Sequence, residues 1–280
     1  MAAYTTIDNP ELYFQCKLYT GTGSEIAATL DGSENMQPDL VAIKARTDAE
    51  SHKVYDSVRG VTKHIEFDTT DAEATEAQGL KSFDSDGFTI GTYSSINASD
   101  SHTYVAWCWK AGTTSGIAGS ADITPNAYSF NQTAGFSIVT YNGTDVNGNT
   151  VLHGLGSVPQ VIFVKRRVSS GYDWVVYHKN DVAGLYLNTD GNNNDSSNTN
   201  IWFNGNTPTS TQFHIGTDGR IGDNVSAGAF VAYCFAPKQG YSKFGTFTGN
   251  GNDDGTFVHT GFRPAWTMIK CASASDHWPI

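Results

Sequence analysis

Apolar and polar positions in this chain follow the two-residue period of β-strands rather than the 3.6-residue period of helices. Phe88-Thr89-Ile90 and Phe213-His214-Ile215 alternate, as strands with one buried face do. Three short runs, Leu40 to Ile43, Val161 to Val164 and Trp266 to Ile269, are almost continuously apolar. That pattern suits strands covered on both faces. Val105-Ala106-Trp107-Cys108-Trp109 and Val231-Ala232-Tyr233-Cys234-Phe235 place large side chains on one face and Ala and Cys on the other. Facing layers of a sandwich interdigitate in this way. Only Asp71 to Gln78 reads as a helix, short and surface-lying, with acidic residues at its start and good helix formers inside.

The strand signals recur in a fixed order. Pro38-Asp39-Leu40-Val41-Ala42-Ile43-Lys44 reappears as Pro159-Gln160-Val161-Ile162-Phe163-Val164-Lys165 and again as Pro264-Ala265-Trp266-Thr267-Met268-Ile269-Lys270. Upstream of each lies an aromatic followed by a glycine: Tyr19-Thr20-Gly21, Tyr141-Asn142-Gly143 and Phe247-Thr248-Gly249. From aromatic to Pro the spacing is 19, 18 and 17 positions. Ordered self-similarity of this kind means repeated structural units. The aromatic and Gly predict a strand end and turn, and the Pro fits the first position of the next strand, where it breaks no ladder bond. The closing Lys reads as a solvated strand end.

The first two copies also share the Phe-x-Ile-Gly strand and the late Val-Ala-aromatic-Cys-aromatic strand. The third stops at Trp278-Pro279-Ile280, a place corresponding to Trp174-Val175-Val176, so both late strands are missing from it. Half a sandwich leaves apolar faces and open edges. Either the chain is a piece of a longer protein, which is the expectation, or another subunit completes the unit. The predicted fold is all-β, with tandem antiparallel β-sandwich repeats of jelly-roll or lectin-like type. Residues 1–15 form an arm or first strand, 16–113 the first repeat and 114–134 a linker rich in Gly, Ser, Thr and Ala. Residues 135–243 form the second repeat and 244–280 a partial third.

Composition narrows the partners. Of 280 residues 39% are hydrophobic, with 15 Phe, 13 Tyr and 6 Trp, enough for real cores. A net charge of −11 argues against free nucleic acid and anionic membranes, both of which require a positive surface. No apolar run approaches the roughly 20 residues of a membrane-spanning helix, so membrane insertion is not expected. Met1 to Pro10 lacks the basic start and apolar stretch of a secretory signal. Cys16, Cys108, Cys234 and Cys271 form no C-x-x-C pair, and the equivalent Cys108 and Cys234 read as buried free thiols.

Candidate chemistry is sparse. Asp84, Asp86, Asp253 and Asp254 are carboxylates of the type that glycoside hydrolysis needs, but all sit in Gly-rich turns where Asp is favoured for its turn geometry. There is no G-x-S-x-G nucleophile elbow and no metal-spaced His pair. His153 and His259 precede equivalent turns and read as turn residues. Asp253 and Asp254 are weak Ca²⁺ candidates without an EF-hand pattern. For a glycan, which needs an aromatic face beside amide oxygens, the best stretch is Tyr186 to Phe203, with Tyr186, Asn192, Asn194 and Trp202 as contacts. No catalytic residue and no cofactor are expected.

Taken together, Lys17 to Gly21, Pro38 to Val41, Tyr55-Asp56-Ser57-Val58-Arg59-Gly60-Val61-Thr62-Lys63, Ser82 to Gly91 and Tyr104 to Lys110 resemble a known repeat module. So do His153 to Gly156, Gly240 to Gly245 and Gly261 to Pro264. The module occurs in structural and tail-associated proteins of marine bacteriophages, phages of cyanobacteria among them. The resemblance covers nearly the whole chain and transfers no active site. It implies a non-enzymatic component on the exterior of the virion, made in the host bacterial cytoplasm. A tail-fibre or appendage module that attaches to host-surface glycan is the first expectation. A capsid decoration or knob protein, and then a tail-associated polysaccharide depolymerase, are the alternatives. Partners would be other virion proteins and further copies of the chain, a trimer being suggested by the symmetry of such organelles.

Overall fold

The structure is a computed structural model describing residues 5–187, 200–202, 206–224, 228–274, 276 and 278–280, with backbone alone for 181–184. The alternating segments fold as antiparallel strands. The chain opens with a short 3-10 turn, Pro10–Leu12, where Pro at its start has no N–H to satisfy and the Asn9 side chain accepts from the Glu11 amide. The first repeat then runs β1 Phe14–Thr20, β2 Ile26–Thr29, β3 Leu40–Ala45, β4 Lys53–Asp56 and β5 Lys63–Glu66. It continues with β6 Ala74–Thr75, β7 Leu80–Asp84, β8 Gly87–Ile90, a one-turn helix α1 Ser94–Asn97, and β9 Thr103–Trp109. The second repeat comprises β10 Ala127–Asn131, β11 Phe136–Asn142, β12 Thr150–Leu152 and β13 Val161–Arg166. It ends with β14 Val175–His178, β15 Asp181–Tyr186, β16 Gln212–His214 and β17 Ala229–Phe235.

Each repeat has one large and one small sheet. The large sheets are ordered β1-β9-β3-β4-β5-β6 and β10-β11-β17-β13-β14-β15; the small ones are β2-β8-β7 and β12-β16. In both large sheets the late strand lies centrally, between the aromatic-Gly strand and the Pro-led strand, so the two are built on one plan. Ile43 pairs with Ala106 in the first and Val164 with Ala232 in the second.

Side-chain parity explains why the Pro-led strands are apolar throughout. Val41 and Ile43 point into the first repeat's core with Phe88, Ile90, Ala106 and Cys108. Ile162 and Val164 do the same in the second, with Val151, Phe213, Ala232 and Cys234. Leu40, Ala42, Val54 and Ile65 from the other face of the first large sheet meet Ile138, Val161, Trp174, Val176 and Tyr233 of the second. The repeats therefore stack sheet on sheet, giving four layers with both large sheets covered on both faces. The late strands' large residues, Trp107, Trp109, Tyr233 and Phe235, face this seam, while Ala and Cys face the repeat's own core. The two thiols are free and buried.

The repeated glycines follow from close packing. A Cβ on Gly21 would sit 2.3 Å from the Ala98 carbonyl oxygen, and one on Gly143 would sit 2.0 Å from that of Asp223. Both approaches come from the loop leading into the late strand.

Three expectations are corrected. Asp71 to Gln78 is not helical: it holds β6 and then a turn at 77–78, because tertiary contacts outweigh its helix propensity, with the Glu73 amide donating to the Arg167 carbonyl and the Ala72 amide to Ser170 Oγ. Within 114–134, β10 extends the second large sheet and Ile123 joins its core, so this stretch is not a free linker. Lys165 is fully buried rather than solvated, its Nζ donating to the Tyr172 carbonyl at 2.5 Å. The equivalent Lys44 stays partly exposed. Residues 244–280 carry no helix or strand among the described residues and run along the rim of the seam.

Candidate functional site: the polar seam between the repeats

At one place the apolar seam turns ionic. Asp56 ends β4 and Arg59 follows one turn later, so an Asp-x-x-Arg spacing brings the two side chains together. Arg59 Nε donates to Asp56 Oδ2 at 2.5 Å, and the Arg59 amide donates to Oδ1 at 2.7 Å. Tyr233 of the second repeat donates its hydroxyl to Asp56 Oδ2 at 2.7 Å and accepts from Arg59 Nη2 at 3.3 Å. Both charged side chains are 0% exposed. Arg59 also donates from Nη1 to a second carboxylate, Glu73 Oε2, at 3.3 Å. Glu73 in turn takes a two-pronged grip from Arg167 of the second repeat at 2.9 and 3.0 Å.

Burial acts against the Arg59 charge, but Asp56, Tyr233 and Glu73 outweigh it and push its pKa above the ordinary guanidinium value. For Glu73 burial is likewise outweighed, by Arg167 and Arg59, and its carboxyl is held below the usual range. Burial pushes the Tyr233 phenol well up. Trp174, fully buried, donates its indole N–H to the Glu66 carbonyl at 2.7 Å, packs edge-on against Phe67 and stacks on Tyr233. Gly171 N donates to the Thr70 carbonyl at 3.0 Å, closing the same hook. This arrangement aims its donors and acceptors at one another across the two repeats. Its chemistry is adhesion.

A second buried pair serves the second repeat internally. Arg166 meets Asp223 Oδ1 at 2.5 Å and the Gly219 carbonyl at 2.8 Å, and lies over the Tyr172 ring at 4.4 Å. His153, 0% exposed, uses both ring nitrogens: Nε2 donates to the Thr209 carbonyl at 3.2 Å and Nδ1 accepts from the Leu155 amide at 3.2 Å. Burial brings its pKa down to about 4, so it is neutral and structural.

The residues singled out from sequence fall elsewhere. Tyr186 and Trp202 are 5% and 2% exposed and belong to the second repeat's core. Arg220 lies over the Tyr186 ring at 4.9 Å and donates to its hydroxyl, while Trp202 packs edge-on against Tyr177. A ring that stacks on sugar must show its face to solvent, and these show theirs to the interior, so the structure assigns them to packing. Asn192 and Asn194 lie outside the described residues. Asp253 and Asp254 are exposed in a loop held by an Asx turn at Asn250, whose Oδ1 accepts from the Asn252 amide at 3.1 Å. Asp84 accepts from Ser82 and Thr89, and Asp86 from the Met36 amide. Among the described residues no three His, Cys, Asp or Glu side chains converge as a metal site would require.

One cleft, about 360 Å³, opens between Pro237–Lys243 and Thr260–Phe262. Lys238 and Lys243 give it a cationic lining, and Lys243 Nζ donates to the His259 carbonyl at 2.5 Å. Asp56, Arg59, Glu73, Arg167 and Tyr233 are the residues that sequence reasoning missed. The available signal was the Asp-x-x-Arg spacing of Asp56 and Arg59, two opposite charges directly after the apolar Val54-Tyr55.

A family description, "Domain of unknown function (DUF7483)", matches residues 9–280. The chain belongs to this family. The match takes in both complete repeats, the seam between them and the partial third, so the four-layer body lies within one family unit. No curated protein and no solved structure matches the chain.

Proposed function

We propose that this DUF7483 protein is a non-enzymatic structural module of a bacteriophage particle, carried on its exterior in a tail fibre or appendage that attaches to host-surface glycan. The observation that supports it best is the double-sided burial of both large sheets. Two sandwiches joined face to face by an apolar seam and a buried ion network cannot flex about a hinge, and a stiff body suits a projecting appendage. Asp56, Arg59, Glu73 and Arg167 are committed to that joint, which fits a mechanical role better than a reactive one. The phage assignment itself rests on the resemblance of the repeat landmarks.

Labelling intact particles with an antibody to this chain tests the location by electron microscopy. Label along the tail is expected. Label on the head alone would replace the reading with a capsid decoration, and absence from particles would end it. Incubation with host surface polysaccharide tests the non-enzymatic part: no gain in reducing ends is expected, and sustained release would make the protein a depolymerase.

A further inference from the structure

The third copy is placed with one face docked and the other bare, and the repeat says which face is which. In the second repeat Ile138, Val161, Phe163 and Trp174 face the seam, whereas Tyr141, Val151 and Val164 face the repeat's own core. Their counterparts in the third copy divide the same way. Phe244, Met268 and Trp278, matching Ile138, Phe163 and Trp174, pack against the seam cluster. Trp266, matching Val161, sits edge-on to Trp109 at 5.4 Å. Phe247, Phe257 and Ile269, matching Tyr141, Val151 and Val164, are 48%, 87% and 43% exposed. Their counterparts are all 0% exposed. Thus the core-type face of the third copy is the uncovered one.

A second observation points to what covers it. Gly21 and Gly143 are needed because the loop before the late strand comes within 2.3 and 2.0 Å of where a Cβ would stand. Gly249 occupies the same landmark with nothing within 4 Å. The third copy keeps the feature that accommodates a late half, and among the described residues nothing is packed against it. Among the described residues the Phe244–Thr248 and Trp266–Ile269 segments have no ladder partner, and neither forms a strand.

We infer that residues 244–280 form an acceptor half-repeat whose bare face binds a late half-repeat, a polypeptide carrying a Phe-x-Ile-Gly strand and a Val-Ala-aromatic-Cys-aromatic strand. The central strand inserts between the Phe244–Thr248 and Trp266–Ile269 segments by β-augmentation, and the other covers Phe247 and Phe257. A second copy of this chain is not the donor, because its β9 and β17 are already central strands bonded on both sides. The inference rests on the repeat alone, so it stands or falls separately from the phage reading.

Hydrogen exchange on the full chain tests it, with a peptide of residues 206–236 as the probe. Amides of 244–248 and 266–269 are expected to slow at least tenfold, with Phe257→Asp abolishing the effect and leaving the exchange of β3 and β13 unchanged. A chimera with residues 206–236 appended after Ile280 supplies the same strands at high local concentration if the peptide is poorly soluble, and should show the same slowing. Unchanged exchange in the chimera, equal slowing by a scrambled peptide, or protection that arises only through concentration-dependent dimers would each overturn the inference.

Discussion

In the first repeat Tyr19 stacks on Tyr104 (5.1 Å), meets Phe88 edge-on (6.3 Å) and donates to the Ile96 carbonyl at 2.8 Å. In the second, Tyr141 stacks on Phe230 (5.3 Å), meets Phe213 edge-on (6.0 Å) and donates to the Ile221 carbonyl at 2.8 Å. At the seam the correspondence stops. His52 stacks on Trp107, partly exposed, where the counterpart pair Trp174 and Tyr233 is buried. Asp56 and Arg59 come from the first repeat alone and find their phenol in the second. A sandwich core accepts few alternatives, because volume and parity must both be kept. The faces where two copies meet carry unlike chemistry, which fixes one mutual orientation. We read the buried ions as a register device in that sense, since such pairs add little net stability over an apolar contact.

The strongest way to break this asymmetry is Arg59→Ala, which strands the buried Asp56 carboxylate. Denaturant unfolding should show a loss of about 3–5 kcal/mol. Lys17→Ala, which removes a pair whose Asp31 is 66% exposed, should cost about 1 kcal/mol or less. Equal costs would mean that the seam is open to water. Next comes the contrast of equivalent aromatics: Tyr233→Ala should cost about 3–5 kcal/mol, and Trp107→Ala less than half as much because its ring is partly solvated already.

Titration sharpens the comparison on a smaller scale. Burial brings the Lys165 pKa down to about 8 from 10.5. The unfolded chain then holds more protons between pH 8 and 10.5, so stability rises with pH through that window, by about 1 kcal/mol from pH 7 to 9. Lys165→Met should flatten the rise, and Lys44→Met should leave it intact. On the acid side, where the registers of β2 on β8 and of β12 on β16 put Leu30 in the first repeat, the second has the buried His153. Its pKa of about 4 lies below the ordinary 6.5, so stability falls as pH drops from 6.5 towards 4, by about 1 kcal/mol at pH 5.5. His153→Gln should remove that share, measured as the shift in urea midpoint. The smallest effects are a matched pair: Tyr19→Phe and Tyr141→Phe should each cost about 1 kcal/mol, equal within error. A difference beyond 1 kcal/mol would show that the two cores are less alike than their geometry.

The repeat, its β-class and its antiparallel strands were legible because each landmark is local. A two-residue period, a Pro before an apolar run and a Gly after an aromatic act over a few residues. The continuous apolar runs even required a second cover for the Pro-led strands. What that cover was did not follow, since any apolar surface would satisfy the pattern. The Tyr186 and Trp202 reading failed for the same reason: an aromatic beside a polar loop looks alike whether its ring faces solvent or core. Asp71 to Gln78 misled because helix propensity amounts to a few tenths of a kcal/mol per residue, and the Glu73–Arg167 grip and its backbone bonds exceed it.

By itself, then, the amino-acid order determined the strands, their duplication and which side of each late strand is bulky, because parity along a strand is a property of neighbours in sequence. Only the tertiary structure decided that the bulky sides of the two copies meet each other, that Asp56 and Arg59 are closed over by Tyr233, and that the third copy lies with its core-type face outward. Those outcomes depend on contacts between residues more than a hundred positions apart, and no local pattern carries the geometry of such a meeting.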